Sequence, residues 1–103
     1  MVRHLEEELS VEHLARHSNM SVRNFTRVFL KETGVTPAKF VEKVRVEVAR
    51  RYLEDSDLSI DQIAEKCGLG GLISMRRTFI RHMNVSPSDY RRTFRTSLQE
   101  IEA

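Results

Sequence analysis

Two segments concentrate basic side chains that can contact phosphate or a base edge. Residues 23–31 hold Arg23, Arg27 and Lys31 with no acid, and residues 76–95 hold Arg76, Arg77, Arg81, Arg91, Arg92 and Arg95 against Asp89 alone. Thirteen of the seventeen basic residues are arginine. Its planar guanidinium matches phosphate oxygens or the N7/O6 edge of guanine in bidentate fashion, which a lysine ammonium does not. The acids gather elsewhere, at Glu6, Glu7, Glu8 and Glu12 and between Glu54 and Glu65. A solvated helical surface would give similar runs, so their place on the elements decides the matter. Other reactive residues form no constellation. His13 and His17 stand four apart, a metal-ligand spacing that lacks a third ligand. Cys67 sits beside Gly68 at an expected helix end and reads as a small buried residue. Neither a nucleophile turn nor a glycine-rich phosphate loop occurs. No catalytic residue, no metal and no cofactor is expected, and enzymatic activity is not.

The elements that position these side chains must fit in one domain. The chain has 103 residues, 40% hydrophobic and 31% charged, with four Gly and two Pro. That length supports a single core and the composition is that of a helical globular protein. A single cysteine excludes an internal disulfide. No run of about 18 apolar residues is present, and MVRHLEEELS has no apolar signal core. A soluble, cytoplasmic chain with no membrane partner is expected. The net charge is only +2, so any electrostatic footprint must be local.

The sequence repeats itself. LSVEHLARHSNMSVRNFTRVFLKETGVTPAKF from Leu9 to Phe40 aligns with LSIDQIAEKCGLGGLISMRRTFIRHMNVSPSDY from Leu58 to Tyr90. The offset is 49 up to Met20/Leu69 and 50 afterwards, the extra residue falling at Gly70-Gly71. Seven pairs are identical: Leu9/Leu58, Ser10/Ser59, Ala15/Ala64, Arg27/Arg77, Phe29/Phe79, Val35/Val85 and Pro37/Pro87. Each copy opens on an N-cap serine, Ser10 or Ser59, followed by a short amphipathic helix. A break follows at Ser18-Asn19-Met20 or at Gly68 to Gly71. A second helix runs from Ser21 to Thr33, or from about Leu72 to Met83, and ends at Gly34 or Asn84. Thr36-Pro37 and Ser86-Pro87 then start new helices. Strand alternation is absent. Two helices joined by a tight turn, used twice, describe an all-α protein with two helix-turn-helix modules, 9–36 and 58–85. A linker helix over 37–55 separates them and a closing helix covers 86–95. In the linker, Phe40, Val41, Val44, Val48 and Tyr52 recur at helical spacing and predict its buried stripe, over a span of roughly 27 Å. The first eight residues read as the end of a further helix, and the tail after Thr96 carries no pattern.

Wheel positions separate a core side from a free side in each second helix. Val22, Phe25, Val28 and Phe29 share one side, and Leu72, Met75, Thr78 and Phe79 are their counterparts. Opposite them lie Arg23, Thr26, Arg27, Leu30 and Lys31, and in register Ile73, Arg76, Arg77, Ile80 and Arg81. An arginine in mid-face suits guanine in a major groove that admits a helix, while Thr26 and Ile73 suit a thymine methyl. Lys31 and Arg81, one turn further, suit the phosphate backbone. The helix starts at Ser21 and Ser86 can also receive phosphate. A helical protein-interaction module meeting an acidic partner is the alternative.

These residues also carry a family resemblance. LSVEHLARHSNMSVRNFTRVFLKETGVTP, RVEVARRYLEDSDLSIDQIAEKCG and VSPSDYRRTF together resemble the C-terminal DNA-binding domain of AraC/XylS-type bacterial transcription regulators, over roughly Leu9 to Phe94. The resemblance implies about seven helices, with both recognition helices in successive major grooves of double-stranded DNA. Carried over by position, Arg23, Thr26 and Arg27 in the first module, and Ile73, Arg76 and Arg77 in the second, are the implied base readers. RNA polymerase is an implied partner of the full-length protein, and a companion sensor domain would lie outside this chain. The second module departs from the family pattern: Leu69 and Met75 replace aromatics, Asn84 replaces a glycine, and Leu72 and Ile73 replace polar residues. The Leu/Met pattern with paired arginines resembles the branch with an amidase-like, DJ-1/PfpI-type sensor.

Overall fold

A computed structural model describes residues 9–102 of the chain. Six α-helices occur among them: α1 (Val11–His17), α2 (Val22–Thr33), α3 (Pro37–Asp55), α4 (Ile60–Cys67), α5 (Leu72–Met83) and α6 (Pro87–Glu102). The further helix expected over the first eight residues lies outside the described residues. The sequence repeat is a repeat of hydrogen bonds. Ser10 Oγ accepts from His13 N–H, and Ser59 Oγ from Gln62 N–H in a full capping box. The tight turns match bond for bond: Met20 N–H donates to Ala15 O and Leu69 N–H to Ala64 O, both at 2.9 Å. The left-handed residue that each turn needs is Asn19 (φ 56°) in one and Gly68 (φ 67°) in the other. Gly34 (φ 81°) and Asn84 (φ 59°) then end α2 and α5 in the same way. Asparagine is the side-chain-bearing residue that best tolerates this region, so Asn84 fills the role of glycine.

The two copies differ in how well they are packed. Ile63, Ala64 and Cys67 of α4 and Met75 and Phe79 of α5, all at 0% exposure, close on Val46, Ala49 and Leu53 of α3. Leu69 joins them from the turn, and Tyr90 of α6 meets the Phe79 ring edge-on at 5.9 Å. In the first copy only Ala15 of α1 is buried, and α2 has no buried residue. Phe25 and Phe29 pack 5.6 Å apart, and Phe29 reaches Phe40 at 5.5 Å, but Phe40 is still 41% exposed.

Three expectations need correction. The buried residues of α3 are Pro37, Val41, Val46, Ala49 and Leu53, whereas the expected stripe runs through Phe40, Val41, Val44, Val48 and Tyr52. Of that stripe only Val41 is buried, and Phe40, Val44 and Val48 edge an open groove of about 510 Å³. The helix is apolar on two sides, and α4, α5 and α6 pack on the side with the small Ala49. Leu72 and its counterpart Val22, both expected in the core, are 51% and 44% exposed because each sits in the first turn of its helix, before the helix reaches the core. The closing helix runs on to Glu102 instead of stopping at 95, with Leu98 and Ile101 exposed on the extension.

Polar side chains fix the end of the linker. Arg91 of α6 donates to four backbone oxygens around the α3 C-terminus: Leu53 (3.1 Å), Tyr52 (3.3 Å), Ser56 (3.1 Å) and Leu58 (2.7 Å). Arg95 adds Ser56 O at 2.7 Å and the Asp57 carboxylate at 3.0 Å. Burial and the adjacent Arg95 charge pull the Arg91 guanidinium below its ordinary pKa. Tyr90 Oη donates to Glu54, which also takes Arg50 at 2.6 Å. Burial first, and then this bond to Glu54, raises the Tyr90 pKa. Two members of the basic run at residues 76–95 are therefore staples of the fold.

Candidate nucleic-acid interface

The N-capped start and left-handed end of α2 fix which residues face outward. Ser21 Oγ accepts from Asn24 N–H at 3.2 Å, which sets the first turn, and no acid occupies that turn. The N-terminal amides of α2 therefore keep the partial positive charge that attracts an anion. At about 100° per residue, Arg23, Thr26, Arg27, Leu30 and Lys31 occupy an arc of roughly 140°. Arg23, Arg27, Leu30 and Lys31 are exposed, and Thr26 is half-buried. Arg27 is not a loose side chain, because its Nη2 donates to Asn24 Oδ1 at 2.8 Å. That bond holds the guanidinium along the helix and reduces the rotamer freedom lost on binding. Asn24 was not among the sequence candidates; its i−3 placement to Arg27 was the available signal.

The second face has the same frame and a different surface. Ile73 is 76% exposed, and Arg76 and Arg77 are exposed as well. With Leu72, Ile73 makes the start of α5 an apolar tip, and Gly71 supplies no side-chain cap there. Arg81 is engaged inside the molecule: its Nη2 lies 2.7 Å from Glu42 Oε1 of α3. His82 Nε2 meets the same carboxylate oxygen at 2.7 Å. Burial works against the charged form of Glu42, but the hydrogen bonds from Arg81 and His82 outweigh it and hold the carboxyl below its usual range. Glu42 stands 39 residues from Arg81 in sequence, and no local pattern announces the pair. Ser86 Oγ accepts from Asp89 N–H at 3.2 Å. Because Asp89, paired with Arg92 at 2.7 Å, puts an acid in the first turn of α6, that helix start is less electropositive than α2.

Other candidates stay apart from these faces. The His13 and His17 rings stack at 6.1 Å, and no cluster of three metal-ligating residues occurs among the described residues. Cys67 is fully buried, and burial pushes its thiol up to about 11, away from the reactive thiolate. No helix among the described residues is long and apolar enough to cross a membrane.

Two helix-turn-helix units with the same hydrogen-bond frame, each turning a cationic helix face outward on a shared linker helix, define a double helix-turn-helix domain. Residues 14–93 match the helix-turn-helix domain family, and the chain belongs to its AraC-type DNA-binding members. It is 47% identical over 81 residues to the HTH-type transcriptional regulator Rv1931c of Mycobacterium tuberculosis, a match covering 79% of this chain and 31% of that protein. It is 35% identical over 88 residues to the HTH-type transcriptional activator RhaS of Salmonella arizonae, covering 85% of this chain and 32% of that one. The chain thus spans about a third of the length of either relative. Among solved structures, the DNA-binding domain of AdpA, a global transcriptional factor in complex with a target DNA, superposes with a TM-score of 0.80 at 38% identity. That match covers 90% of this chain and 86% of the other.

Proposed function

We propose that this domain binds double-stranded DNA sequence-specifically, with α2 and α5 in successive major grooves, as the DNA-reading part of a transcription regulator. The observation that carries the reading is the pair of outward faces, Arg23/Thr26/Arg27 and Ile73/Arg76/Arg77, presented in register on equivalent frames. Arg27, held by Asn24, reads guanine; Thr26 and Ile73 meet thymine methyls; Arg23, Arg76 and Arg77 complete the base contacts. Lys31, the N-terminal amides at Ser21, and Ser86 take phosphates. Arg81 is a conditional phosphate ligand, because it must share or leave Glu42 to reach DNA. The DNA complex of AdpA supports the reading by likeness of fold and sequence. RNA polymerase and a sensor domain, including one of the amidase-like type, are partners of the longer regulator in this reading.

Salt titration tests the nucleic-acid reading against an acidic protein partner. Fluorescence anisotropy with labelled duplex should give log affinity falling linearly with log salt, with a slope near −0.9 for each phosphate neutralised. Poly-glutamate should compete poorly. Equal displacement of the duplex by poly-glutamate at matched charge would favour the acidic-partner alternative.

A further inference from the structure

We propose that Arg45 is a positioning residue that sets the register between the two recognition helices and so makes binding selective for half-site spacing. This rests on the two-groove reading above. The helices of each module pack on α3 in preference to those of the other module. Their relative orientation is therefore decided where each meets the linker. Arg45, half-buried on α3, donates from Nη1 to Gly68 O at 2.9 Å and from Nη2 to Leu9 O at 3.4 Å. Leu9 immediately precedes the cap Ser10 of α1, and Gly68 is the left-handed pivot of the second turn. One planar fork therefore ties the entry of the first module to the turn that aims α5.

A second tie acts one turn away. Glu42, at i−3 from Arg45, takes Arg81 and His82 at the far end of α5. The linker thus holds the second recognition helix near both ends through polar contacts. Between them lies an open cleft of about 420 Å³, lined by Ser10, Glu42, Arg45, Gly70 and Ser74 among others. Polar ties across a cleft resist rotation only as well as their geometry allows, and a guanidinium fork with two fixed N–H directions constrains angle as well as distance. One base pair of altered spacing turns a half-site by about 35° and shifts it by about 3.4 Å, since a turn holds 10–10.5 base pairs over 34–36 Å. A rigid fork penalises that mismatch, whereas a loosened one absorbs it.

The test measures affinity of the domain for a series of duplexes whose two half-sites are separated by the preferred spacer or by one base pair more or fewer. Single half-sites serve as controls. The unaltered domain should favour its spacer by about tenfold, the loss of roughly one good base contact. Arg45→Met should reduce that preference below about threefold while single half-site binding stays within about twofold. Circular dichroism confirms that the variant is folded. Arg45→Lys keeps the charge but reaches only one carbonyl; it should relax spacing as well, and it carries the test alone if Arg45→Met fails to fold. A folded variant with native spacing preference would overturn the proposal, as would a uniform loss on every duplex including single half-sites. A flat spacer profile for the unaltered domain would refute the two-groove reading, and the role of Arg45 with it.

Discussion

Replacing Arg91 by methionine should destabilise the domain severely, whereas replacing its neighbour Arg92 by alanine should barely matter. Both belong to the same basic run, and on charge alone they are equivalent. Arg91 donates to the carbonyls of Tyr52, Leu53, Ser56 and Leu58, three of which border the C-terminus of α3, where the last carbonyls lack intrahelical donors, although Tyr52 O also accepts from Ser56 N–H and Oγ. A hydrogen bond to a charged group contributes about 1.5–3 kcal/mol net. The site is half-buried, so water recovers part of the loss, and the four contacts are not additive. One to two full bonds lost gives about 2–4 kcal/mol, a large share of a domain's usual 5–15 kcal/mol. Arg92 has a 74% exposed side chain and, among the described residues, pairs with Asp89 at i−3, an interaction worth about 0.5 kcal/mol or less. Urea denaturation followed by circular dichroism should show a lower midpoint at an unchanged m-value for Arg91→Met. Equal midpoints for the two variants would refute the idea that Arg91 staples the linker end to α6.

Three further outcomes follow from the packing and the faces. Arg27→Ala should cost about 1–3 kcal/mol on the preferred duplex and relax one base position, and Ile73→Ala should cost less because only an apolar contact is lost; selection with each variant checks both. Amides of α4 and α5 should exchange at least about tenfold more slowly than those of α1 and α2, since the dense core lies in the second module; hydrogen-exchange mass spectrometry measures this, and uniform protection would contradict it. Glu42 has a folded-state pKa below its ordinary 4.5, so its contribution is present above that value and lost as pH falls through the lowered one. Glu42→Gln should therefore flatten the fall of the urea midpoint below about pH 4.5, and an unchanged acid limb would contradict the assignment.

What the sequence discloses is what local chemistry decides. Caps at Ser10, Thr36 and Ser59, and left-handed ends at Gly34 and Asn84, act within a few residues, so those helix bounds were readable from pattern. The outward faces followed from helical periodicity, supported by the repeat. The buried side of α3 was not readable, because Val46/Ala49/Leu53 and Phe40/Val41/Val44/Val48/Tyr52 are both apolar rows and only the partner helices choose between them. The extension of α6 past 95 was hidden by a polar tail that the helix carries without burying Leu98 or Ile101. The ties of Arg45, Arg81, Arg91 and Arg95 were invisible for another reason. They reach carbonyls or carboxylates 23 to 39 residues away, a relation that composition and spacing do not encode. The basic run at residues 76–95 therefore includes arginines that hold the fold together, which charge counting does not separate from the rest.

Selection of bound duplexes from a random-sequence pool, with the purified domain at stepped salt, tests the central claim most directly. The account predicts enrichment of two short motifs with centres one helical turn apart, about 34–36 Å, and sharper preference in the one read by α2. Raising salt should weaken all sequences while the enriched pair keeps its advantage. A pool that stays random, or one that yields a single motif with no phased companion, would contradict it.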